Sequence, residues 1–267
     1  MRTQRNVFDA GKPFLRFVCL VLVSSVCLPV SLANGVGATA PAMTAGEIVA
    51  AMVVRNQARA AALSGYVGRR IYSLEYTGFP SGRSARMVVE ARYTAPSTKN
   101  FKVISETGSK LIIDRVLKRL LSTEEEAQSA KNQREVSLTP RNYRFELLGQ
   151  EPSKRGPLYV LAVAPKVKNK FVYRGRVWID ASDFAVVRIE AEPAKNPSFW
   201  ISHTHIDQEY AKFGSFWLPV ENTSTSKIRM LGGLATLRIE YKGYMLDRSS
   251  AAAETSPSAS SNAAKTF

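Results

Sequence analysis

Apolar and polar side chains alternate with a period of two along much of this sequence, and that alternation limits the possible folds more than any other feature. In residues 143–147, Tyr, Phe and Leu alternate with Arg and Glu, and residues 86–93 and 237–242 follow the same pattern. Successive side chains of a strand point to opposite faces, so the pattern predicts antiparallel strands with one apolar and one solvated face. Residues 158–164 are apolar throughout, which predicts a strand covered on both faces.

Short turn sequences separate the alternating segments at intervals typical of hairpins. They fall at residues 77–78, 95–97, 153–157, 180–183, 213–215 and 232–233. Hairpins that follow one another without intervening helices argue against a parallel α/β sheet. We therefore predict a mainly β (α+β) fold with about nine to eleven antiparallel strands.

Two segments carry helical spacing instead. Thr44 and Glu47 stand three residues apart, as in a capping box, and Ser64-Gly65 is a typical stop, so we predict a helix that reaches about Leu63. In the second segment, apolar residues recur at the spacing of one helix face: Ile113, Val116, Leu117, Leu120 and Leu121. This second helix is expected to lie on an apolar surface.

The sequence Ser122-Thr123-Glu124-Glu125 has a further capping-box spacing. We predict that a new helix begins there and that the mostly polar segment as far as Glu135 is either an exposed helix or a mobile flap. Adjacent helical positions do not share a face, and the first turn of a helix favours negative charge. The triplet Glu124-Glu125-Glu126 is therefore interpreted as a helix N-terminus rather than as a metal cluster.

The first 33 residues have the pattern of a cleavable signal peptide. Four Lys or Arg residues precede an apolar run over residues 17–28, and Ser31-Leu32-Ala33 follows as a small-residue cleavage site. The run is shorter than the roughly 20 residues that a helix needs to cross a bilayer. We predict cleavage after Ala33, or else after Ala38 or Ala40, and export to the periplasm.

The chain has two cysteines, Cys19 and Cys27, and both lie in the predicted signal peptide. Valine precedes each of them, whereas an acylated lipoprotein cysteine follows a small residue, so lipid attachment is not expected. The mature protein would contain no thiol. We therefore expect burial and hydrogen bonds, rather than disulfides, to hold the fold.

The charge of the chain is strongly positive. Removal of residues 1–33, with four basic residues and one acidic residue, from totals of 37 and 22 would leave 33 basic and 21 acidic residues, a net charge of +12. An exported protein does not meet the genome, so we expect no nucleic acid, and the candidate counter-charges are an anionic membrane surface, lipopolysaccharide-like polymers or acidic proteins. Because the cations are scattered, a basic composition without a specific partner is the alternative.

The composition also divides the chain. Residues 34–248 are long enough to bury the core of one domain. Residues 249–267 consist mostly of Ser, Ala, Thr, Asn and Pro. Such a segment has too little apolar surface to offset the entropy of ordering it, so a disordered tail is predicted.

One constellation could carry metal chemistry. His203, His205 and Asp207 alternate along a predicted strand and would share a face. The first half of the metallo-β-lactamase zinc motif is similar, but that motif continues with Asp-His, and here Gln208 follows. Glu209 extends the same face, which we interpret as solvated strand surface. We expect no metal, no cofactor and no enzymatic activity.

Three tryptophans and a Gly-Gly pair could have either a structural or a ligand-binding role. Trp178, Trp200 and Trp217 either line a lipid cavity or a membrane-touching rim, or they pack at the ends of the sheet. Gly232-Gly233 lies between apolar residues without a following helix, so it is interpreted as a hairpin turn rather than a phosphate-binding loop.

A leading helix, an inserted helical segment and several short strand motifs run through residues 44–248. The motifs are Tyr66-Val67-Gly68, Ala95-Pro96-Ser97-Thr98-Lys99 with Phe101-Lys102-Val103, Tyr159-Val160-Leu161, Gly175 to Asp180 with Asp183, Val187-Arg188-Ile189-Glu190, Phe216-Trp217-Leu218-Pro219 and Leu237 to Tyr241. Together they resemble the periplasmic lipoprotein-carrier superfamily (LolA/LolB-like, outer-membrane lipoprotein-sorting proteins). The charged segment over residues 109–135 and the basic surface depart from the carriers.

The resemblance implies a curved, antiparallel, half-open β-barrel whose concave apolar face is covered by helices and binds acyl chains of a lipid or lipoprotein. A monomeric, non-enzymatic carrier or chaperone in transport is the expected function. The alternative is an envelope stress sensor or scaffold of the same fold that binds a protein partner. The residues expected to line the ligand cavity are Val89, Phe101, Val103, Phe145, Leu161, Trp178, Val187 and Ile239.

Overall fold

A computed structural model describes residues 43–79, 81–127, 134–167, 171–196, 199–229 and 232–247. The predicted signal peptide (residues 1–33) and the predicted tail (residues 249–267) lie outside the described residues. So does the middle of the polar segment before Glu135 that was expected to be an exposed helix or a mobile flap.

The described strands form one antiparallel sheet. They are β1 (Gly65–Thr77), β2 (Arg83–Thr94), β3 (Thr98–Gly108), β4 (Tyr143–Ser153), β5 (Gly156–Pro165), β6 (Tyr173–Asp180), β7 (Val186–Pro193), β8 (Ile201–Phe213), β9 (Phe216–Ile228) and β10 (Leu234–Leu246). The order across the sheet is β3-β2-β1-β10-β9-β8-β7-β6-β5-β4, so all ten strands belong to one open, curved sheet with β3 and β4 at its edges. The predicted fold class is confirmed.

The apolar and polar residues that alternate in the sequence lie on opposite faces of this sheet. On β2, Ala85, Met87, Val89 and Ala91 are at most 5% exposed, whereas the residues between them are half-buried or exposed. The turn at residues 232–233 is the predicted hairpin, since it joins β9 to β10. The outer face of the middle strands carries ion pairs such as Arg176 with Glu190 and Arg238 with Glu221.

The first helix, α1 (Ala45–Ala62), begins with the predicted capping box. The Thr44 side chain accepts a hydrogen bond from the Glu47 N–H, and the Glu47 carboxylate accepts one from the Thr44 N–H at 2.8 Å. Its face with Ile48, Val49 and Met52 is buried. These residues form a core cluster with Tyr143, Tyr159, Leu161, Val163, Val172, Val177 and Ile179. The helix therefore covers the β4–β6 end of the concave face.

A second helical segment, residues 110–127, covers the other end of the sheet, and we call it the covering segment. It consists of α2 (Lys110–Ile112), a π-helical turn (Ile113–Leu117) and α3 (Lys118–Ala127). Its buried side chains pack against Tyr72, Leu74, Ala85, Met87 and Val89 of β1 and β2. No helix in the described parts of the chain is long and apolar enough to span a membrane.

Two predictions for the covering segment were wrong. Val116 is 37% exposed, although it was expected on the buried face with Ile113 and Leu117. The π-helical turn bonds i to i+5, so the rotation per residue is smaller than in an α-helix and the apolar face shifts. The second helix start at Ser122 is also absent, because α3 continues through it and the hydroxyls of Ser122 and Thr123 donate to carbonyls four residues earlier.

Between these two covered ends, the part of β8 and β9 that contains Thr204, Gln208, Asn222 and Ser226 is polar. The hydroxyls of Thr204 and Ser226 are hydrogen bonded at 2.9 Å, and the Asn222 amide donates to Gln208 at 3.0 Å. These side chains satisfy one another across the two strands. A third apolar cluster, of Tyr66, Phe216 and Leu218 with Leu63 packed against it, adjoins this polar part of the two strands.

Leu161 tests whether α1 and the sheet form a packed core. It is 0% exposed beneath α1, so Leu161→Ala should lower the free energy of unfolding by about 2–5 kcal/mol through lost burial and a residual void. Leu148→Ala, on the neighbouring strand β4 at a position that is 52% exposed, should cost less than about 1 kcal/mol. Chemical denaturation monitored by circular dichroism measures both, and equal losses would contradict the packing described here.

Candidate functional site

A cavity of about 360 Å³ lies between the C-terminal half of α1 and strands β6 to β9. Its size falls near the lower end of small-molecule pockets, which run from about 300 to 1,000 Å³. The lining residues are Asn56, Arg59, Ala60, Leu63, Leu138, Tyr173, Val186, Ile189, Tyr210, Phe216, Trp217 and Leu218.

Most of the wall is apolar. Helix α1 contributes Ala60, its C-cap residue Leu63 adds a second side chain, and the sheet contributes Val186, Ile189 and Leu218. Aliphatic side chains on two opposed surfaces make a slot rather than a single flat patch. Such a slot removes both sides of an apolar ligand from water.

Polar groups are gathered at the edge of the slot. Arg59 of α1 donates to the backbone carbonyls of Asp183, at 2.9 Å, and Phe184, at 3.2 Å. The Asp183 carboxylate in turn accepts from the Trp217 indole at 2.9 Å and pairs with Lys212 at 2.7 Å. The hydrogen bond from Lys212 holds the pKa of Asp183 below its usual value. These contacts fix the end of α1 to the turn between β6 and β7.

Two tyrosine side chains face the cavity without a partner for their hydroxyls. Burial raises the pKa of Tyr210 to about 12 and that of Tyr173 well above its usual value, so both phenols stay neutral. Both side chains nevertheless keep partial solvent access. Within the described residues, neither hydroxyl has a hydrogen-bond partner, and each can therefore donate to a ligand atom or to water.

Three of the residues predicted to line the ligand cavity lie together under the covering segment. Val89 is 0% exposed there, and Phe101 and Ile239 pack around the same core cluster. Val103, on the edge strand β3, is 39% exposed. This end of the concave face is filled by the protein's own helix.

The other predicted residues lie on the α1 side of the sheet. Leu161 and Phe145 belong to the packing beneath α1, and Val187 lies at a β-bulge of β7. Trp178 lies on the outer face, where its indole donates to Glu151 at 2.8 Å and Arg188 stacks 4.9 Å from the ring centroid. None of the eight is among the residues that line the cavity. Their part in ligand binding stays a prediction.

A charge cluster connects the covering segment to the sheet. Arg70 of β1 is 3% exposed and donates to Glu124 of α3 at 2.6 Å. Lys99 of β3 donates to the other carboxylate oxygen of Glu124 at 2.9 Å. The Arg70 guanidinium also lies about 5 Å from the ring centroids of Phe101 and Tyr241, at 5.0 and 5.1 Å. Glu124 is thus the ion-pair partner of a buried arginine, although its own side chain is 31% exposed, and its interpretation as a helix N-terminus was wrong because α3 begins at Lys118.

The electrostatics of this cluster favour the charged forms. Desolvation alone would raise the pKa of Glu124, but Lys99 and Arg70 outweigh it and hold that pKa below its usual value. Burial likewise disfavours the Arg70 charge, yet Glu124 opposes it strongly enough that the pKa of Arg70 is raised. The buried Arg70 and the partly exposed Glu124 and Lys99 therefore stabilise one another where α3 meets the sheet.

The His203 face is solvated, as predicted. The His203 side chain is 57% exposed, with its Nε2 at 3.2 Å from Glu192, and Asp207 pairs with Arg188 on the same outer face. Across the residues that the structure describes, no group of three or more His, Cys, Asp or Glu side chains could hold a metal ion.

Several residues of the site escaped the sequence analysis although a signal for them exists. Arg70 shares its strand parity with the apolar residues Tyr72 and Leu74, and a cation on an apolar face is a sign of a buried pair. Tyr210 has the parity of Ile206, which places it on the concave side. Nothing in the local sequence could show that Arg59 would meet the turn at Asp183, because 124 residues separate them.

Comparison with known proteins gives a partial family match. Residues 138–244, which contain β4 to most of β10, match a family of unknown function, DUF5686. The match covers less than half of the chain, and its name assigns no activity. No curated protein matches the chain.

Three solved structures are similar to this chain. A domain from Vibrio parahaemolyticus described as an outer membrane lipoprotein-sorting protein is 12% identical, with a TM-score of 0.39, over 73% of this chain and 92% of that chain. A LolA superfamily protein from Nitrosomonas europaea is 11% identical, with a TM-score of 0.33, over 77% and 94%. The MucA/MucB complex of Pseudomonas aeruginosa is 10% identical, with a TM-score of 0.25, over 74% and 99%.

The LolA/LolB-like resemblance therefore rests on the sequence motifs, because similarities at these identities and TM-scores carry no argument about a superfamily. At these identities and TM-scores, the similarities carry no information on what this chain binds.

Glu124→Gln tests the charge cluster. The substitution keeps the shape of the side chain but leaves Arg70 buried without a carboxylate, so the free energy of unfolding should fall by about 1.5–3 kcal/mol. Asp114→Asn is the matched control on the same segment, because Asp114 is 58% exposed and pairs with Lys118 at the surface. It should leave the stability unchanged within error, and an equal loss in both variants would contradict a buried pair.

The pH dependence gives an independent check of the same cluster. Since the pKa of Glu124 is lowered in the folded protein, its carboxylate stabilises the fold above the ordinary glutamate pKa of about 4.3, and this contribution is lost as the pH falls through the lower folded value. The stability difference between the parent protein and Glu124→Gln should therefore shrink below about pH 4.3. A difference that stays constant down to pH 3 would argue against the ion pair.

Proposed function

We propose that this chain is an exported envelope protein that binds an acyl chain of a lipid or lipoprotein in the cavity between α1 and strands β6 to β9. The observation that carries the proposal is the aliphatic slot, with Ala60 and Leu63 on one side and Val186, Ile189 and Leu218 on the other. A linear hydrocarbon fits a slot that has apolar walls on both sides. This role requires no chemical reaction, so the proposed function is not enzymatic.

The binding energy comes from removing apolar surface from water, which contributes roughly 25 cal/mol per Å². The polar groups then orient the ligand. The hydroxyls of Tyr173 and Tyr210 lack partners in the described chain and can donate to an ester or carboxyl oxygen. The cation Arg59, which lines the slot, favours an acidic or zwitterionic group there. The proposed ligand is therefore an amphiphile.

The predicted signal peptide supports a periplasmic location. In that compartment an acylated molecule needs shielding as it passes between membranes. A monomeric carrier or chaperone for lipids or outer-membrane lipoproteins is the role that we propose.

Ala60→Trp tests the position of the ligand. Ala60 lines the slot and is exposed on α1, so an indole there should fill part of the slot without disturbing the packed core. We expect the affinity for cis-parinaric acid, a fluorescent fatty acid, to fall at least about tenfold, which corresponds to about 1.4 kcal/mol. Fluorescence titration of the mature protein measures the change.

Ala58→Trp is the matched control, because Ala58 is exposed on the same helix and does not line the slot. Its affinity should equal that of the parent protein. Equal weakening by both substitutions would place the probe elsewhere, and failure of the parent protein to bind the probe would overturn the proposed function.

A protein partner is the second candidate function. The observation that favours it is the free edge of β3, an 11-residue strand on which no described strand pairs at the outer side. An open edge can accept a strand from another polypeptide. Native mass spectrometry of the protein purified from its own host separates the two functions, since a bound lipid favours the carrier and a bound polypeptide with an empty cavity favours the sensor or scaffold.

A further inference from the structure

One rim of the sheet carries exposed aromatic side chains on neighbouring connections. The connection from β1 to β2 presents Phe79, and the connection from β7 to β8 presents Phe199 and Trp200. Their exposed fractions are 73%, 74% and 54%. Large aromatic side chains on several adjacent loops are seldom this exposed to solvent. Such a group indicates an interaction surface.

Contacts with a third connection, between β9 and β10, hold these side chains in place. The Arg229 N–H donates to the Trp200 carbonyl at 2.7 Å, and the Phe199 and Trp200 rings meet edge to face with centroids 5.7 Å apart. The Tyr76 hydroxyl lies 3.1 Å from the Gly232 carbonyl and 3.3 Å from the Phe79 carbonyl. The three connections are therefore joined to one another at a single rim.

Cations accompany the aromatic side chains. The Arg229 guanidinium lies 5.8 Å from the Phe199 ring centroid, and Lys195 is exposed on the same connection as Phe199. The sequences of the three connections, residues 78–82, 194–200 and 229–233, contain no Asp or Glu. Glu192, at the end of β7, is paired with Arg174 at 3.1 Å. We call Phe79, Phe199, Trp200, Lys195 and Arg229 the aromatic rim.

We propose that the aromatic rim docks the protein on an anionic lipid bilayer, with Phe79, Phe199 and Trp200 at the level of the headgroups and Lys195 and Arg229 on lipid phosphates. Aromatic side chains concentrate at membrane interfaces because one part of the ring system is apolar and another is polar, and clustered cations are attracted to anionic leaflets. A protein partner would match the aromatic side chains equally well, but the absence of acidic residues in all three connections matches a surface of uniform negative charge. This inference is independent of the cavity and of what it binds.

Vesicle sedimentation tests the docking surface. The mature protein should bind vesicles of phosphatidylcholine with phosphatidylglycerol at least about tenfold more tightly than vesicles of phosphatidylcholine alone. The double variant Phe199→Ser with Trp200→Ser, and separately Arg229→Glu, should each weaken binding to the anionic vesicles at least about tenfold. Met245→Ser is the control, because Met245 is 67% exposed on β10 and lies away from the rim connections.

Tryptophan fluorescence distinguishes insertion from loose attraction. Anionic vesicles should shift the emission of the parent protein to shorter wavelength, and Trp200→Phe should abolish the shift while it keeps most of the binding. Equal binding to both kinds of vesicle, or rim variants that bind as tightly as Met245→Ser, would overturn the proposal. The affinity of the rim variants for cis-parinaric acid should stay unchanged, so failure at the rim and failure in the cavity are separate results.

Discussion

The width of a single ten-stranded sheet determines the rest of this structure. Neighbouring strands lie about 4.8 Å apart, so ten strands measure roughly 43 Å across, whereas a helix with its side chains is about 10 Å wide. Two helical segments therefore cannot cover the whole concave face. They cover its two ends, and the middle strands must either carry polar residues or meet a ligand. Both solutions occur, as the strip around Gln208 and Asn222 and as the cavity beside α1.

Charged and polar contacts, in addition to the apolar core, hold α1 and the covering segment in position on the sheet. Arg59 connects the end of α1 to the turn at Asp183, and Glu124 connects the covering segment to Arg70 and Lys99. Between these two attachments lies the shortest strand pairing described in the sheet, with four residue pairs between β7 and β8. The cavity extends across this pairing, from Ile189 to Tyr210. Few backbone hydrogen bonds hold β7 and β8 together. The width of the cavity therefore depends on the curvature of the sheet at this pairing.

The sequence predicts local structure well because local structure depends on spacing. The capping box at Thr44 and the alternation along β2 fix one helix and one strand without reference to distant residues. The fold class and the solvated His203 face follow from the same periodicity. By contrast, apolar character alone cannot distinguish a residue under a helix, such as Leu161, from one on the outer face, such as Trp178, and the part of the eight predicted residues in ligand binding stays a prediction. The cavity beside α1 has a different lining, and helix docking over long sequence separations determines its position. The π-helical turn and the ion pair of Glu124 depend on the same tertiary contacts.

Photoaffinity labelling tests most directly the claim that the uncovered part of the concave face holds a hydrocarbon chain. A palmitate analogue with a diazirine near its methyl end can be bound to the mature protein, photolysed and mapped by peptide mass spectrometry. The structure predicts labelling in the peptides that contain Ile189, Tyr210 and Phe216 to Leu218, with competition by unlabelled palmitate. Labelling confined to the outer face, or to peptides of the covering segment and β2, would contradict the account.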